Sequence, residues 1–223
     1  VGAHYDHLGF GGESSASPDQ IGKPHVGADD NASGTAAMLA IARAFALEPP
    51  PRRPVYFVAF SGEELGVLGS AYFADPPPVP MTSVQAMINF DMIGRNETPS
   101  KQTDGLIEIA ADTSNEVNVV GLKYSPDYRS AVERANRQVD LRISTKWDED
   151  TVVNVLFRSD QYPFLLHNIP AMWWFTGFHP DYHQITDTAD RINYSKMEKI
   201  LKDFKENATD SYWDYEDIET GDA

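Results

Sequence analysis

The chain has 223 residues, 34 of them acidic and 18 basic, for a formal net charge of −16, and it contains no cysteine. Hydrophobic residues make up 41% and charged residues 23%, enough apolar chain for one sizeable core. The charge argues against a nucleic-acid partner, no run approaches the roughly 18 apolar residues of a membrane span, and the missing cysteines exclude a disulfide framework, a thiolate nucleophile and Cys-ligated zinc.

The opening VGAHYDHLG (1–9) reads as a strand running into a loop, with neither start methionine nor signal peptide before it. It is therefore expected that the chain lacks the N-terminal portion of a longer protein. DNASGTAAMLAIARAFALE (30–48) has a capping start and closely spaced apolar residues, so it predicts a helix, stopped by Pro49, Pro50 and Pro51. RRPVYFVAF (52–60) predicts a buried strand from its β-branched and aromatic content. A helix over 65–74 and a strand over 84–93 follow, then a polar loop from Gly94 to about Asp104. LIEIAA (106–111) is a strand candidate, SPDYRSAVERANRQV (125–139) a helix, 160–168 a short helix and AMWWFT (171–176) a core strand. Residues 194–213 give the closing helix, with an acidic tail over 214–223. Alternating strands and helices imply an α/β sheet covered on both faces, in one domain spanning residues 1–223.

Open α/β sheets bind ligands at the carboxyl ends of their strands. The first strand ends in His4-Tyr5-Asp6-His7; Asp29 and Asp30 sit at the mouth of the first helix; the second strand runs into Glu63 and Glu64. The third strand carries Asp91, and the loop after AMWWFT contains His179, Tyr182 and His183. Taken singly, each has a plainer reading: Asp29 or Asp30 as a helix cap, the glutamates as acids in a helix's first turn, a loop histidine as a surface residue. Asp91 within an apolar strand is harder to set aside, because a buried unpaired carboxylate is costly. Jointly, the set has the chemistry of a two-metal site: imidazole and carboxylate ligands suit zinc, with manganese or cobalt as substitutes. One unligated carboxylate would then serve as a general base.

These residues carry a resemblance. His4-x-Asp6, GADDNASG, SGEELGVLGS, NFDMIGR and DYH with a following aspartate resemble the co-catalytic zinc aminopeptidases, relatives of glutamate carboxypeptidase and glutaminyl cyclase. The resemblance runs from residue 1 to about residue 200. It implies a three-layer α/β/α sandwich with a mixed, mostly parallel sheet, and two zinc ions per chain. His4 and Asp91 would bind one ion, Glu64 and His183 the other, and Asp29 would bridge them. Glu63 would act as general base on a zinc-bridged water, Asp6 would orient His4, and Tyr182 would steady the oxyanion. Asp187 would support the loop bearing His183, while His7, His25, His167 and His179 read as surface or packing residues. Gln161 stands where the family keeps a histidine. The acidic run Asp148-Glu149-Asp150 reads as a solvated loop, with calcium as the alternative.

The implied activity is removal of an N-terminal residue, apolar by preference, from a peptide with a free N-terminus, by a secreted or periplasmic enzyme. No nucleic acid or membrane is implied as a partner, and the oligomeric state stays open. A carboxypeptidase of the same fold is the near rival, with Arg95, Arg129 and Arg158 as candidates to grip a C-terminal carboxylate. A glutaminyl-cyclase-like transferase and a metal-free interaction domain are further alternatives.

Overall fold

The computed structural model describes residues 1–51 and 53–210. Its centre is a six-stranded sheet: β1 (Gly2–His4), β2 (Val58–Phe60), β3 (Met87–Phe90), β4 (Glu116–Val120), β5 (Arg142–Ser144) and β6 (Ala171–Phe175), in the order β2-β1-β3-β6-β4-β5. Strands β2, β1, β3 and β6 are parallel to one another; β4 is antiparallel to β6, and β5 parallel to β4. The carboxyl ends of four strands therefore share one edge.

Strand alternation sends successive side chains to opposite faces. Ala3, Ile88, Phe90, Met172, Trp174, Val117 and Val119 meet one apolar layer. It is completed by α1 (Gly34–Leu47), α3 (Pro126–Val139) and α5 (Tyr194–Asp210). Phe60, Met87 and Ala171 meet the other face with Phe73 of α2 (Leu68–Ala74) and Phe164 of α4 (Tyr162–Leu166). The result is the expected mixed, mostly parallel sheet between two helical layers. Among the described residues no helix is long and apolar enough to cross a membrane.

Most of the expected elements form, with shorter limits. The strand expected over 52–60 pairs only from Val58 to Phe60, since Pro54 cannot donate to a ladder. LIEIAA does not form a strand: Leu106 is exposed, and the ladder passes instead through Glu116–Val120. That strand is buried at all five positions, and its polar members hide inside it by pairing, Glu116 with Lys146 and Arg142, and Asn118 with Glu97. Of the closing helix expected over 194–213, Tyr194–Asp210 is helical; residues 211–213 and the acidic tail lie outside the described residues.

The helix expected from residue 30 becomes regular only at Gly34. Residues 28–33 form a wider turn in which Asp30 (φ −104°, ψ 89°) and Asn31 (φ −135°, ψ 43°) leave helical geometry. Asn31 fixes this kink to the end of β3: its Nδ2 donates to the Phe90 carbonyl at 2.9 Å, and its Oδ1 accepts from Met92 and Gly34. Only glycine fits at 34, because a Cβ there would stand 2.2 Å from the Phe90 oxygen. The kink thus holds Asp29 and Asp30 against the edge where four strands end.

Candidate metal centre

His4 ends β1 and is fully buried. Its Nδ1 donates to the Asp6 carbonyl at 3.1 Å, which fixes the tautomer and leaves Nε2 to face the cleft. That Nε2 lies 3.3 Å from Asp30 Oδ1 and 3.4 Å from Asp91 Oδ1, without a hydrogen-bond partner. The orientation of His4 thus comes from the backbone oxygen of Asp6 rather than its carboxylate, which stands 3.7 Å away. The carboxylate has a different task, accepting the backbone N–H groups of Glu63 and Glu64.

That clamp, together with Gly62 at φ +72°, turns the chain sharply after β2 and separates the two adjacent glutamates. Glu63 Oε2 comes within 3.9 Å of His4 Nε2, whereas Glu64 Oε2 lies 3.1 Å from His183 Nε2. His183 donates through Nδ1 to the Ser14 carbonyl at 2.8 Å, and its Nε2 is also 3.1 Å from Asp30 Oδ2. Asp91 follows β3, with Oδ2 accepting from Ser159 and Oδ1 unpartnered. Tyr182 stacks on the His183 ring at 3.8 Å between centroids and meets Phe178 edge-on.

One expected residue is misplaced. The carboxylate between the two imidazoles belongs to Asp30, not Asp29. Asp29 points away: its Oδ1 accepts from Gly94 N at 2.6 Å and its Oδ2 pairs with His179 Nε2 at 3.1 Å. Two adjacent aspartates cannot face the same way on this turn, and the non-helical step at Asp30 carries that side chain into the cleft. Of the two readings open for His179, surface or packing, the structure shows the second: it is buried and pairs with Asp29. His7 also departs from expectation, since its Nδ1 lies 2.7 Å from Glu64 Oε1. Asp187, expected to brace the His183 loop, instead accepts the backbone N–H groups of both Asp29 and Asp30 at 3.0–3.1 Å.

Other residues find structural work. Gln161 donates to the Leu156 carbonyl. Asp148 is buried and accepts from the distant Gly121 and Lys123, so it is not part of a solvated loop, whereas Asp150 accepts from Val152, Val153 and Val155 and braces its own turn. Trp174 and Phe175 pack into the core, while Trp173 and Phe178 line the cleft. Ser159, which holds Asp91, carried no sequence signal beyond its place beside Asp160.

The electrostatics show what the centre lacks. Asp30, Glu63, Glu64 and Asp91 converge with His4, His7 and His183; among the described residues these imidazoles are the only basic groups within 4 Å of the four carboxylates. Burial opposes charging of the His4 imidazole, yet Asp91 and Asp30 hold its pKa well above the usual histidine value. Burial likewise works against His183, but Asp30 and Glu64 raise it to about 10. Burial and the neighbouring Asp91 push Glu63 well up, and burial also raises Asp91. Burial resists ionisation of Asp30 as well, but the His183 and His4 imidazoles keep it far below the ordinary carboxylate range. The imidazoles are being made to serve as counter-cations. A cluster of this kind fits divalent metal: ligand atoms of His4, Asp30 and Asp91 form one group within 4.8 Å of one another, and those of His7, Asp30 and Glu64 a second. Asp30 belongs to both.

The profile of peptidase family M28 matches residues 1–206. The chain belongs to peptidase family M28. A protein of Pyrenophora tritici-repentis named as a probable zinc metalloprotease is 31% identical over 173 residues, covering 73% of this chain and 37% of that protein. LpqL of Mycobacterium tuberculosis, named as a probable lipoprotein aminopeptidase, is 27% identical over 77% of this chain and 37% of its own length. The solved structure of BSAP, a zinc aminopeptidase from Bacillus subtilis, superposes with a TM-score of 0.65 at 23% identity, over 93% of this chain and 44% of that one. This M28 chain thus spans well under half the length of each of these three proteins.

Proposed function

We propose that this M28 chain carries the catalytic centre of an aminopeptidase that holds two divalent ions, zinc by preference, and hydrolyses the N-terminal peptide bond of peptides. The observation that carries the proposal is the unmet demand for positive charge: among the described residues Asp30, Glu63, Glu64 and Asp91 are met within 4 Å only by imidazoles, and Asp30 is shared by two ligand groups. His4 and Asp91 would hold one ion and Glu64 and His183 the other, with His7 beside Glu64 and Asp30 within reach of both sets. Bound metal supplies Lewis acidity for water activation and carbonyl polarisation.

The chain's own residues do the rest. Glu63 is left without a ligand role and is pushed towards protonation by burial and by Asp91, the tuning a general base requires. It takes a proton from the attacking water and gives it to the departing amine as the C–N bond breaks. The Tyr182 hydroxyl, kept in its neutral donor form by burial, donates to the oxyanion that develops on the scissile carbonyl. Trp173, Phe178 and Met92 line the cleft and favour an apolar first residue. The names of LpqL and BSAP support aminopeptidase polarity.

Glu63→Gln tests the assignment. Turnover of an aminoacyl anilide is expected to fall about 10³-fold with metal content unchanged. Retained turnover removes Glu63 from the base role, and release of ammonia from an N-terminal glutaminyl peptide without cleavage replaces hydrolysis with cyclisation.

A further inference from the structure

The cleft is walled by carboxylates, aromatic rings and Met92, with one cationic side chain among them. Arg158 lines it together with Asp30, Glu63, Glu64, Asp91 and Tyr182. Arg158 is solvent-exposed, and in a chain of net charge −16 an acid partner could readily have been supplied. It has none: among the described residues no carboxylate lies within 4 Å of it. The other arginine near this edge, Arg95, is spent on Asp181 at 2.6 Å.

Arg158 is nevertheless well placed. Its Cζ sits over the Phe178 ring, 5.8 Å from the centroid, a contact that uses none of its N–H donors. Its backbone N–H closes on the Val155 carbonyl, and the next residue, Ser159, holds Asp91. The backbone of Arg158 is thus one peptide unit from the residue that holds Asp91. A planar fork of free donors recognises a carboxylate in two parallel hydrogen bonds. The cleft's own carboxylates are engaged elsewhere, so the carboxylate it fits is one carried by the substrate.

We propose that Arg158 is the specificity-determining residue of this cleft, receiving a carboxylate of the bound peptide and so directing the enzyme to short or acidic peptides. The inference rests on the peptidase reading of the same centre. Two parts of a peptide supply that group: the C-terminal carboxylate of a dipeptide, or an acidic side chain.

The experiment compares Leu-Gly with Leu-glycinamide for the first source, and glutamyl with glutaminyl anilide for the second, in the metal-loaded wild type and in Arg158→Gln and Arg158→Lys. The expected result is a preference of about tenfold for the charged member of one pair. Arg158→Gln abolishes it by raising KM for that member with kcat nearly constant, Arg158→Lys restores part of it, and metal content is unchanged throughout. Equal handling of both pairs by the wild type overturns the proposal. So does a loss in Arg158→Gln that is the same for charged and neutral substrates, which would make Arg158 only a packing partner of Phe178. Calorimetric binding of Leu-Gly and Leu-glycinamide, with glutamyl- and glutaminyl-glycinamide as the side-chain pair, is measured in parallel. If nothing is cleaved, the peptidase reading falls, while a binding preference that Arg158→Gln removes still upholds the carboxylate site and its absence still refutes it.

Discussion

Two buried polar clusters lie on the same sheet and are built on opposite terms. Beside β4, Glu97 and Glu116 are met by Lys146 Nζ at 2.6 and 3.0 Å, and Glu116 also by Arg142 Nε at 2.6 Å. Nearby, the buried Lys196 ammonium donates to the carbonyls of Arg95 and Thr113. Each carboxylate there has its own cation. At the ends of β1, β2, β3 and β6, four carboxylates are met within 4 Å by three imidazoles and by no lysine or arginine among the described residues. Buried charge without a matching cation is expensive, so this contrast supports the proposal that the second cluster takes up a cation from outside. The first cluster is scaffold and the second is a site.

Substitutions can break this contrast. The largest effect is expected at the centre, where Glu63→Gln should abolish anilide turnover while leaving the denaturation midpoint unchanged; retained turnover would contradict the base role. In the scaffold cluster the consequences reverse. Lys146→Met strands Glu97, which is almost fully buried, and is expected to cost about 3–5 kcal/mol of stability in chemical denaturation with metal content unchanged. A variant that unfolds no more easily would show that the β4 network is not holding the sheet.

Lys196 gives the contrast a pH dependence. Burial lowers its pKa from 10.5 to about 8. Below pH ~8 the folded chain holds a buried ammonium and bears the whole penalty. Between about 8 and 10.5 the unfolded chain retains a proton the folded chain has released, so this group's contribution to stability rises with pH, by about 3 kcal/mol in all. Lys196→Met should lack that slope; parallel pH curves for wild type and variant would contradict the assignment. A smaller effect is expected at Asp187, whose carboxylate carries the backbone of Asp29 and Asp30. Asp187→Ala should weaken metal binding about 10–100-fold in a competitive chelator titration, and unchanged affinity would show that the Asn31 contacts alone fix the turn.

Much of the centre was legible in the sequence, because imidazoles and carboxylates recur where strands end. His4, Glu63, Glu64, Asp91, Tyr182 and His183 all reach the cleft. What could not be read was decided by backbone geometry. Asp29 and Asp30 are chemically identical neighbours, and only the kink at 30–31 selects the second. His7 looked like a loop residue because nothing local shows that the β1 loop folds back over Glu64. Strand β4 went unrecognised because the partners that neutralise Glu116 and Asn118 lie far along the chain, at Lys146 and Glu97. The alternation in LIEIAA had no neighbouring strand to pair with.

The central claim is that Asp30 is the carboxylate common to two metal positions. The most direct measurement is the zinc content per chain after dialysis, in the wild type, Asp30→Ala and Asp29→Ala. The account predicts two ions in the wild type, a loss at both positions in Asp30→Ala, and retention in any Asp29→Ala protein that folds. One ion or none in the wild type, or two in Asp30→Ala, would contradict it.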